Sequence, residues 1–210
     1  MSALPSQSRY IIGTEACERF SFYGMKSILM LYMTGHLLMS DNWSTSTLHI
    51  FVAMVYLLPL AGAWLADKVW GRYKTILYIS LLYCVGHGVL ATADLSHTIE
   101  ARRYILMAGL FIIALGAGGI KPCVSAFMGD QIPNKSPQLM TKAFNAFYWA
   151  INLGSFFSFL VIPAMEQRYG YSWAFAVPGL FMGVATFVFW LGRKNYHKTP
   201  PARNSGQPGF

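Results

Sequence analysis

Six long apolar runs, separated by short polar stretches, constrain what this chain can fold into. A helix needs about 20 apolar residues to cross the ~30 Å hydrocarbon core of a bilayer. Of the 210 residues, 55% are hydrophobic and only 11% are charged, whereas soluble domains carry about 25% charged residues. The sequence therefore predicts an all-α integral membrane protein with six transmembrane helices, at residues 12–38, 49–70, 74–95, 103–129, 142–164 and 172–192.

The remaining segments define the domain organisation and the orientation. Residues 1–11 are predicted to form an N-terminal segment and 12–192 the helical bundle. Residues 193–210 are first basic and then rich in Pro, Gly and Ser, which is typical of a cytoplasmic tail or the start of an interdomain linker. Outside the predicted spans, ten lysines and arginines fall on the side of both termini and three on the other. Because basic loops stay on the cytoplasmic side, we expect both termini in the cytoplasm.

Several classes of function find no support in the sequence. The three cysteines lie within apolar runs and give neither a disulfide framework nor a metal motif, so we assign them to packing. No nucleophile–base pair or metal-spaced cluster is visible, and we expect no enzyme and no cofactor. Six spans are compatible with two inverted three-helix repeats, as in secondary transporters, although the two halves share no clear sequence similarity.

The first span contains charges that a lipid-facing helix would not carry. Each charge at bilayer depth costs about 2.5–3.5 kcal/mol on insertion scales. At 100° per residue, the polar and aromatic side chains of EACERFSFYGMK share one arc of about 140°: Glu15, Glu18, Arg19, Phe22, Tyr23 and Lys26. This stripe is predicted to line a cavity or to pack on other polar helices. The alternative is a structural Glu15–Arg19 pair near the membrane edge, with Lys26 reaching toward the surface.

Lys121 is the fifth charged group expected within the membrane. It follows GAGG and precedes Pro122 in the middle of the fourth span. The glycines allow close helix approach, and the proline is expected to bend the helix. Because a lone lysine at this depth needs a carboxylate, we expect Lys121 to pair with Glu15 or Glu18. Such a pair would couple proton movement to binding if the glutamate is protonated in turn, or it would be only structural.

Five motifs in this order resemble one known family. They are EACERFSFYG (15–24), GAWLADKVWGRYKTI (62–76), GAGGIKP (116–122), FYWAINLGS (147–155) and LGRKNYHKTPP (191–201). Together they resemble the proton-dependent oligopeptide transporter family of the major facilitator superfamily. The resemblance implies the N-terminal six-helix bundle of such a transporter, with the proton as coupling ion and a di- or tripeptide as substrate.

The resemblance also implies roles for individual residues. Proton coupling would fall to a set of ionisable side chains, Glu15, Glu18, Arg19, Lys121 and His49. The peptide pocket would be lined by Arg19, Phe22, Tyr23, Lys26, Tyr56, Lys121 and Asn152, with the basic groups receiving the peptide carboxylate. His49 and Tyr56 are seven residues apart and are expected on one face of their helix. A histidine at the start of a helix near the membrane interface is the simpler interpretation of His49.

Two positions depart from the family pattern. Phe22 stands where the motif has tyrosine, which removes a hydroxyl from the pocket. Lys26 stands where the family usually has arginine, and lysine lacks the planar fork that binds a carboxylate through two parallel hydrogen bonds. We hypothesise that Lys26→Arg would tighten dipeptide uptake.

The second motif forms a charged turn between two predicted spans. In the superfamily, such a turn holds the two halves of the transporter together in one conformation. The resemblance therefore implies a conformational role for Gly62, Asp67, Gly71, Arg72 and Lys74. A solvated basic loop explains the same charges without that role.

The six spans correspond to only half of a family member. We therefore expect a second six-helix half, from the same gene or a separate chain, besides the lipid bilayer, the peptide and the proton. The leading hypothesis is proton-coupled symport of di- and tripeptides by alternating access, in the plasma membrane or a bacterial inner membrane. The alternatives are a transport-inactive half that acts as a membrane assembly partner, and a relative that carries nitrate or another small anion. Nothing indicates nucleic acid.

Overall fold

The computed structural model describes residues 3–202 and contains helices but no strands within that range. The main helices are α1 (Ser8–Leu31), α2 (Asp41–Leu57), α3 (Pro59–Leu65), α4 (Arg72–Thr92), α5 (Ile99–Asp130), α6 (Pro137–Tyr169) and α7 (Tyr171–Leu191). Short π or 3-10 turns extend four of them, at Tyr32–His36, Ala66–Trp70, Ala93–Leu95 and Gly192–Lys194. A further 3-10 turn, Pro133–Lys135, precedes α6.

These helices form the six predicted spans, since α2 and α3 together make the second. Five spans are long and apolar enough to cross a membrane by hydropathy: Asp41–Trp70, Arg72–Leu95, Ile99–Asp130, Pro137–Tyr169 and Tyr171–Lys194. The first span, α1, has 24 residues but carries the charged stripe, which lowers its apolar character. The prediction of an all-helical, six-span chain is confirmed. Each span begins before its predicted run, the second at Asp41 rather than at 49, whereas the first ends at His36 rather than at 38.

Local sequence explains where several helices begin. The side chains of Ser40 and Thr98 accept hydrogen bonds from backbone N–H groups three residues later, at Trp43 and Ala101, and so cap α2 and α5. Pro137 occupies the first turn of α6, where its missing N–H costs nothing. Gly71 has φ +78° and separates the second span from α4, a conformation that favours glycine.

The core lies among α1, α4, α5 and α7, with α6 packed against α1. The span Asp41–Trp70 is much less covered: 17% of its apolar window is buried, compared with 56% for Ile99–Asp130. Large side chains on the second span (α2 and α3) and on α6 remain exposed, including Tyr56, Trp64, Tyr148 and Trp149. These two spans therefore present the open side of the bundle.

The bundle has two ends, which we name after the residue networks found there. The Arg72 end comprises residues 3–7, 66–72, 130–137 and 192–202, and the His36 end comprises 36–41, 93–99 and 169–171. Since the spans alternate in direction, α1 and α4 both run from the Arg72 end to the His36 end.

Candidate functional site

A buried ionic cluster lies on α1, within the predicted polar stripe. Arg19 Nε is 2.9 Å from Glu15 Oε1 and 2.5 Å from Glu18 Oε2. The three residues are 7%, 6% and 1% exposed, respectively. One guanidinium thus holds two carboxylates inside the bundle. The i,i+4 pair of Glu15 and Arg19 that the alternative interpretation named is therefore present, and it is buried and includes Glu18 as well.

Close packing of α6 on α1 seals one side of this cluster. A Cβ added at Gly154 would meet the carbonyl oxygen of Ala16 and lie 3.2 Å from the Phe20 nitrogen. Only a glycine lets the α6 backbone approach α1 so closely. The Phe20 ring stacks on Phe181 of α7, with ring centroids 3.9 Å apart. Backbone and aromatic contacts therefore exclude lipid from the cluster.

Lys121 does not form the predicted ion pair with Glu15 or Glu18, and that prediction is wrong in its direct form. Its Nζ lies 4.5 Å from the centroid of the Phe22 ring and 5.3 Å from that of Tyr56. Arg19 occupies the carboxylates instead, because it sits on the same helix at i+4 from Glu15 and directly after Glu18. The Lys121 charge still interacts electrostatically with both glutamates and with Arg19.

Phe22, Tyr23 and Lys26 continue the stripe toward the His36 end. Phe22 is buried and makes an edge contact with Tyr23, with centroids 5.4 Å apart. Lys26 is half-buried, and its charge acts on that of Lys121. Phe22 therefore provides a cation–π surface for Lys121 at the position where the family motif has tyrosine. The two lysines and Arg19 give this wall of the bundle a positive charge.

The other predicted pocket residues lie on the open side. Tyr56 is 72% exposed apart from its contact with Lys121. His49 is exposed on the same face of α2, as expected from their spacing. Asn152 is exposed on α6 and donates to the carbonyl of Tyr148, at 3.0 Å.

A shallow cleft of about 250 Å³ on α6 is lined by Asn145, Tyr148, Trp149 and Asn152. Within residues 3–202, no hydrogen bond, ion pair or ring contact joins His49 or Asn152 to the Arg19 cluster. The structure therefore brings Lys121 together with Phe22 and Tyr56, and leaves His49 and Asn152 apart from them.

The charged turn at the Arg72 end forms a network that sequence reasoning found only in part. Arg72 Nη1 lies 2.7 Å and 2.6 Å from the two carboxylate oxygens of Asp130, at the end of α5. Its contact with Asp67 is longer, at 3.7 Å. Asp130 was missed because its partner lies 58 positions earlier in the sequence. Lys74 is exposed, and Gly62 lies against the backbone of Gly119.

The segment after α7 (residues 192–202), which we call the strap, is folded, although the sequence predicted a tail or the start of a linker here. Tyr196 is buried among Tyr10, Tyr73, Phe127 and Phe189, with ring centroids 5.1–6.5 Å away. Burial raises the pKa of its phenol. Gln131 donates to the carbonyl of His197, at 3.0 Å, and accepts from its N–H, at 2.8 Å. Residues 203–210 of the predicted tail lie outside the described range.

A second network was missed at the His36 end. His36 Nε2 is 2.5 Å from Asp94 Oδ1, and Arg102 Nη1 lies 3.2 Å from the same oxygen. Arg103 donates to the carbonyls of Leu37 and Leu38, at 2.7 Å and 3.0 Å. This network ties the loops after α1 and α4 to the start of α5. The available signal was His36 near the end of the first predicted span, with Asp94 and Arg102 near the boundary between the third and fourth spans.

Comparison with known proteins supplies the family. The POT family model matches residues 73–208, which is more than half of the chain. Human solute carrier family 15 member 2 is 42% identical over 216 residues, which cover 97% of this chain and 29% of the relative. The Drosophila melanogaster protein named peptide transporter family 1 is 42% identical over 209 residues, covering 95% of this chain and 28% of its own length.

Solved structures agree with these matches. The POT family transporter PepTSo matches with a TM-score of 0.88 and 46% identity, covering 100% of this chain and 40% of that structure. An auto-inhibited POT family peptide transporter matches with a TM-score of 0.85 and 47% identity, over 93% of this chain and 39% of its own. The chain belongs to the POT family, and it spans less than a third of the length of these curated relatives.

Proposed function

We propose that this chain is the N-terminal half of a proton-coupled symporter for di- and tripeptides. The Drosophila relative and the solved structures above are named as peptide or POT family transporters, and the chain shares the fold of these structures. The observation that carries the proposal is the buried Arg19 cluster. An arginine that holds two carboxylates inside a membrane bundle is costly and is best explained by a task that moves charge.

In this proposal, the coupling proton is carried by the Arg19 cluster. Protonation of one glutamate would weaken its ion pair with Arg19 and free part of the guanidinium charge. The freed charge would act together with Lys121, which already interacts with Arg19 and both glutamates. Binding of the peptide and binding of the proton would then be coupled, because each changes the net charge of the site to which the other binds. His49 is exposed and, among residues 3–202, makes no hydrogen bond or ion pair with the cluster. It would therefore serve only as a secondary proton site. No cofactor is needed for this mechanism.

The peptide carboxylate would bind along the positive wall formed by Arg19, Lys26 and Lys121. Phe22 and Tyr56 hold Lys121 by cation–π contact, which leaves its three N–H donors able to meet a carboxylate. Tyr23, Tyr56 and Asn152 would supply hydrogen bonds to the peptide backbone. Only one wall of the pocket belongs to this chain.

The second wall would come from a C-terminal six-helix half, docked on the open side of the bundle. Polar and aromatic side chains exposed on α2 and α6 include His49, Tyr56, Trp149 and Asn152. A polar group exposed at membrane depth is costly in lipid and acceptable in a water-filled pocket between two halves. Alternating access would follow from rocking of the two bundles about this pocket.

The turn at the Arg72 end would serve as the conformational element of the cycle. Arg72 joins the turn to α5 through Asp130, while Asp67 and Lys74 remain exposed. These exposed charged side chains would contact the second half when the Arg72 end is closed. The distribution of basic residues supports a cytoplasmic location for this end and for both termini, in a plasma or bacterial inner membrane.

Uptake into liposomes tests the proposal. Liposomes would contain this chain together with the C-terminal half of a POT relative, and uptake of a labelled dipeptide would be followed under an inward proton gradient. Accumulation is expected, and Lys121→Gln is expected to abolish it. The exposed loop variant Lys74→Gln provides a matched control. Gradient-insensitive binding without accumulation would instead favour an assembly partner, and competition by nitrate alone would favour an anion carrier.

A further inference from the structure

A second set of buried polar side chains lies where α1 meets α4: Ser21, Ser80, Tyr83 and His87. Each is at most 1% exposed. Residues 80, 83 and 87 follow the i, i+3, i+7 spacing of a single helix face. None of them has a role in the proposed pocket.

Hydrogen bonding and close packing fix the positions of these rings. Ser21 Oγ and His87 Nε2 are 2.9 Å apart. The His87 and Tyr83 rings stack, with centroids 5.0 Å apart and an interplanar angle of 19°. A Cβ at Gly116 would lie 2.5 Å from Tyr83 Cβ, and one at Gly179 would lie 3.0 Å from His87 Cβ. Glycines on α5 and α7 therefore provide the space that both rings occupy.

The Ser21–His87 contact also sets the register between two helices that run in the same direction. Glu18 lies three residues before Ser21 on α1, and Tyr83 lies four residues before His87 on α4. One helical turn separates each pair, so Glu18 and Tyr83 come to neighbouring levels. The charges of Glu18 and Arg19 both act on the Tyr83 phenol, in agreement with this register.

Several buried polar atoms in this region lack hydrogen bonds to the residues described. They are Oε1 of Glu18, whose other carboxylate oxygen pairs with Arg19, the hydroxyls of Tyr83 and Ser80, and Nδ1 of His87. Buried polar groups are almost always hydrogen-bonded, and a bound water with two to four polar partners is a common solution. A phenol donor beside a carboxylate acceptor has the complementary chemistry for such a site.

We propose that Tyr83, held by His87 and Ser21, is a positioning residue that donates a hydrogen bond to the Glu18 carboxylate through one buried water. Arg19 then holds Glu18 from α1, and Tyr83 holds it from α4. Glu18 is thereby fixed in place, and Glu15 is left as the more adaptable acid of the cluster. This last consequence rests on the proposed proton coupling, whereas the water-mediated contact does not.

Infrared difference spectroscopy on the chain in liposomes tests the contact. The spectrum of Glu18→Gln assigns the Glu18 carboxyl band. Tyr83→Phe removes one hydroxyl and keeps the ring, and it is expected to shift that band in the direction of a lost hydrogen bond. It is also expected to remove a water O–H band that shifts in ¹⁸O-labelled water. Tyr78→Phe is the matched control, because Tyr78 lies on the same helix but is 48% exposed.

A second variant tests the support for Tyr83. His87→Ala is expected to shift the Glu18 band less than Tyr83→Phe, because the phenol remains but loses its stacking partner. An unchanged Glu18 band in Tyr83→Phe, or an equal shift in Tyr78→Phe, would overturn the proposal. The spectra do not depend on transport. A chain that shows the shift but accumulates no peptide when it is combined with a C-terminal half would refute the proposed function alone.

Discussion

Substituting Gly62 by alanine should separate two helices that now touch through their backbones. A Cβ at Gly62 would lie 2.7 Å from Gly119 Cα and 2.8 Å from its carbonyl carbon, and it would also meet the carbonyl oxygen. The first distance is about 0.7 Å below the 3.4 Å at which ordinary van der Waals contact begins. Because backbone atoms cannot rotate away, α3 must move from α5.

The cost of this movement follows from the behaviour of overpacked cores. Inserting a methyl group into well-packed structure typically costs about 1–3 kcal/mol. Gly183→Ala is the matched control, since its Cβ would meet no atom within 4 Å. Both substitutions gain a similar helix propensity of up to about 1 kcal/mol, so their difference isolates the steric cost. For a chain of this size, that difference corresponds to roughly 2–12 °C in melting temperature.

Intrinsic fluorescence of the six tryptophans during heating in detergent would measure both variants. Gly62→Ala is expected to unfold below the parent chain, and Gly183→Ala at or slightly above it. If Gly62→Ala unfolds at the same temperature as Gly183→Ala or higher, the close α3–α5 contact is wrong. The outcome bears on function because Gly62 begins the motif that was expected to have only a conformational role.

Three further predictions concern the effects of substitutions on stability or on peptide uptake. Tyr196→Ala should lower the free energy of unfolding by about 3–5 kcal/mol. Tyr196→Phe should be neutral or stabilising, because the buried hydroxyl makes no hydrogen bond within residues 3–202. Equal melting temperatures for the two variants would contradict this expectation. Asp130→Asn should lower the free energy of unfolding by about 1.5–3 kcal/mol. Asp67→Asn should lower it by under about 0.5 kcal/mol, since Asp67 is more exposed and farther from Arg72. Chemical unfolding in detergent would compare the two variants, and a larger loss of stability for Asp67→Asn would contradict the assignment of Asp130 as the main partner of Arg72. Lys26→Arg should lower the half-saturation concentration for dipeptide uptake, and an unchanged value would count against carboxylate binding at this position.

Much of the fold could be predicted because a bilayer limits the options. A long apolar run with few charges has to become a membrane-spanning helix, which is why six spans were found to within a few residues. The charged first span was included because its polar residues share one arc. The structure places Glu15, Glu18 and Arg19 together in the interior, as that arc implied.

Side-chain pairing between helices was harder to predict. The predicted Lys121–glutamate pair followed from the need of a buried lysine for a carboxylate. That reasoning left out Arg19, which pairs with both carboxylates from the same helix. Helix packing then placed Lys121 over Phe22 and Tyr56. Asp130 was missed because its partner, Arg72, lies 58 positions earlier in the sequence. The two residues come together only when α4 and α5 pack against each other.

The strap after α7 shows a different limit. The tail was interpreted from its composition, first basic and then rich in Pro, Gly and Ser, yet Tyr196 provides enough apolar area to anchor the first part of the tail in an aromatic cluster. One buried side chain outweighed the composition of its neighbours. His87 carried a clearer signal, as a histidine inside an apolar run, and the structure shows it fully buried.

The central claim is that the Arg19 cluster couples proton movement to peptide transport. The most direct test compares Glu15→Gln and Glu18→Gln in liposomes that contain both halves of the transporter, with two assays on the same preparation. One assay follows dipeptide accumulation driven by a proton gradient, and the other follows dipeptide exchange without a gradient. We predict that at least one variant loses accumulation and keeps exchange. Undiminished gradient-driven accumulation in both variants would contradict the claim.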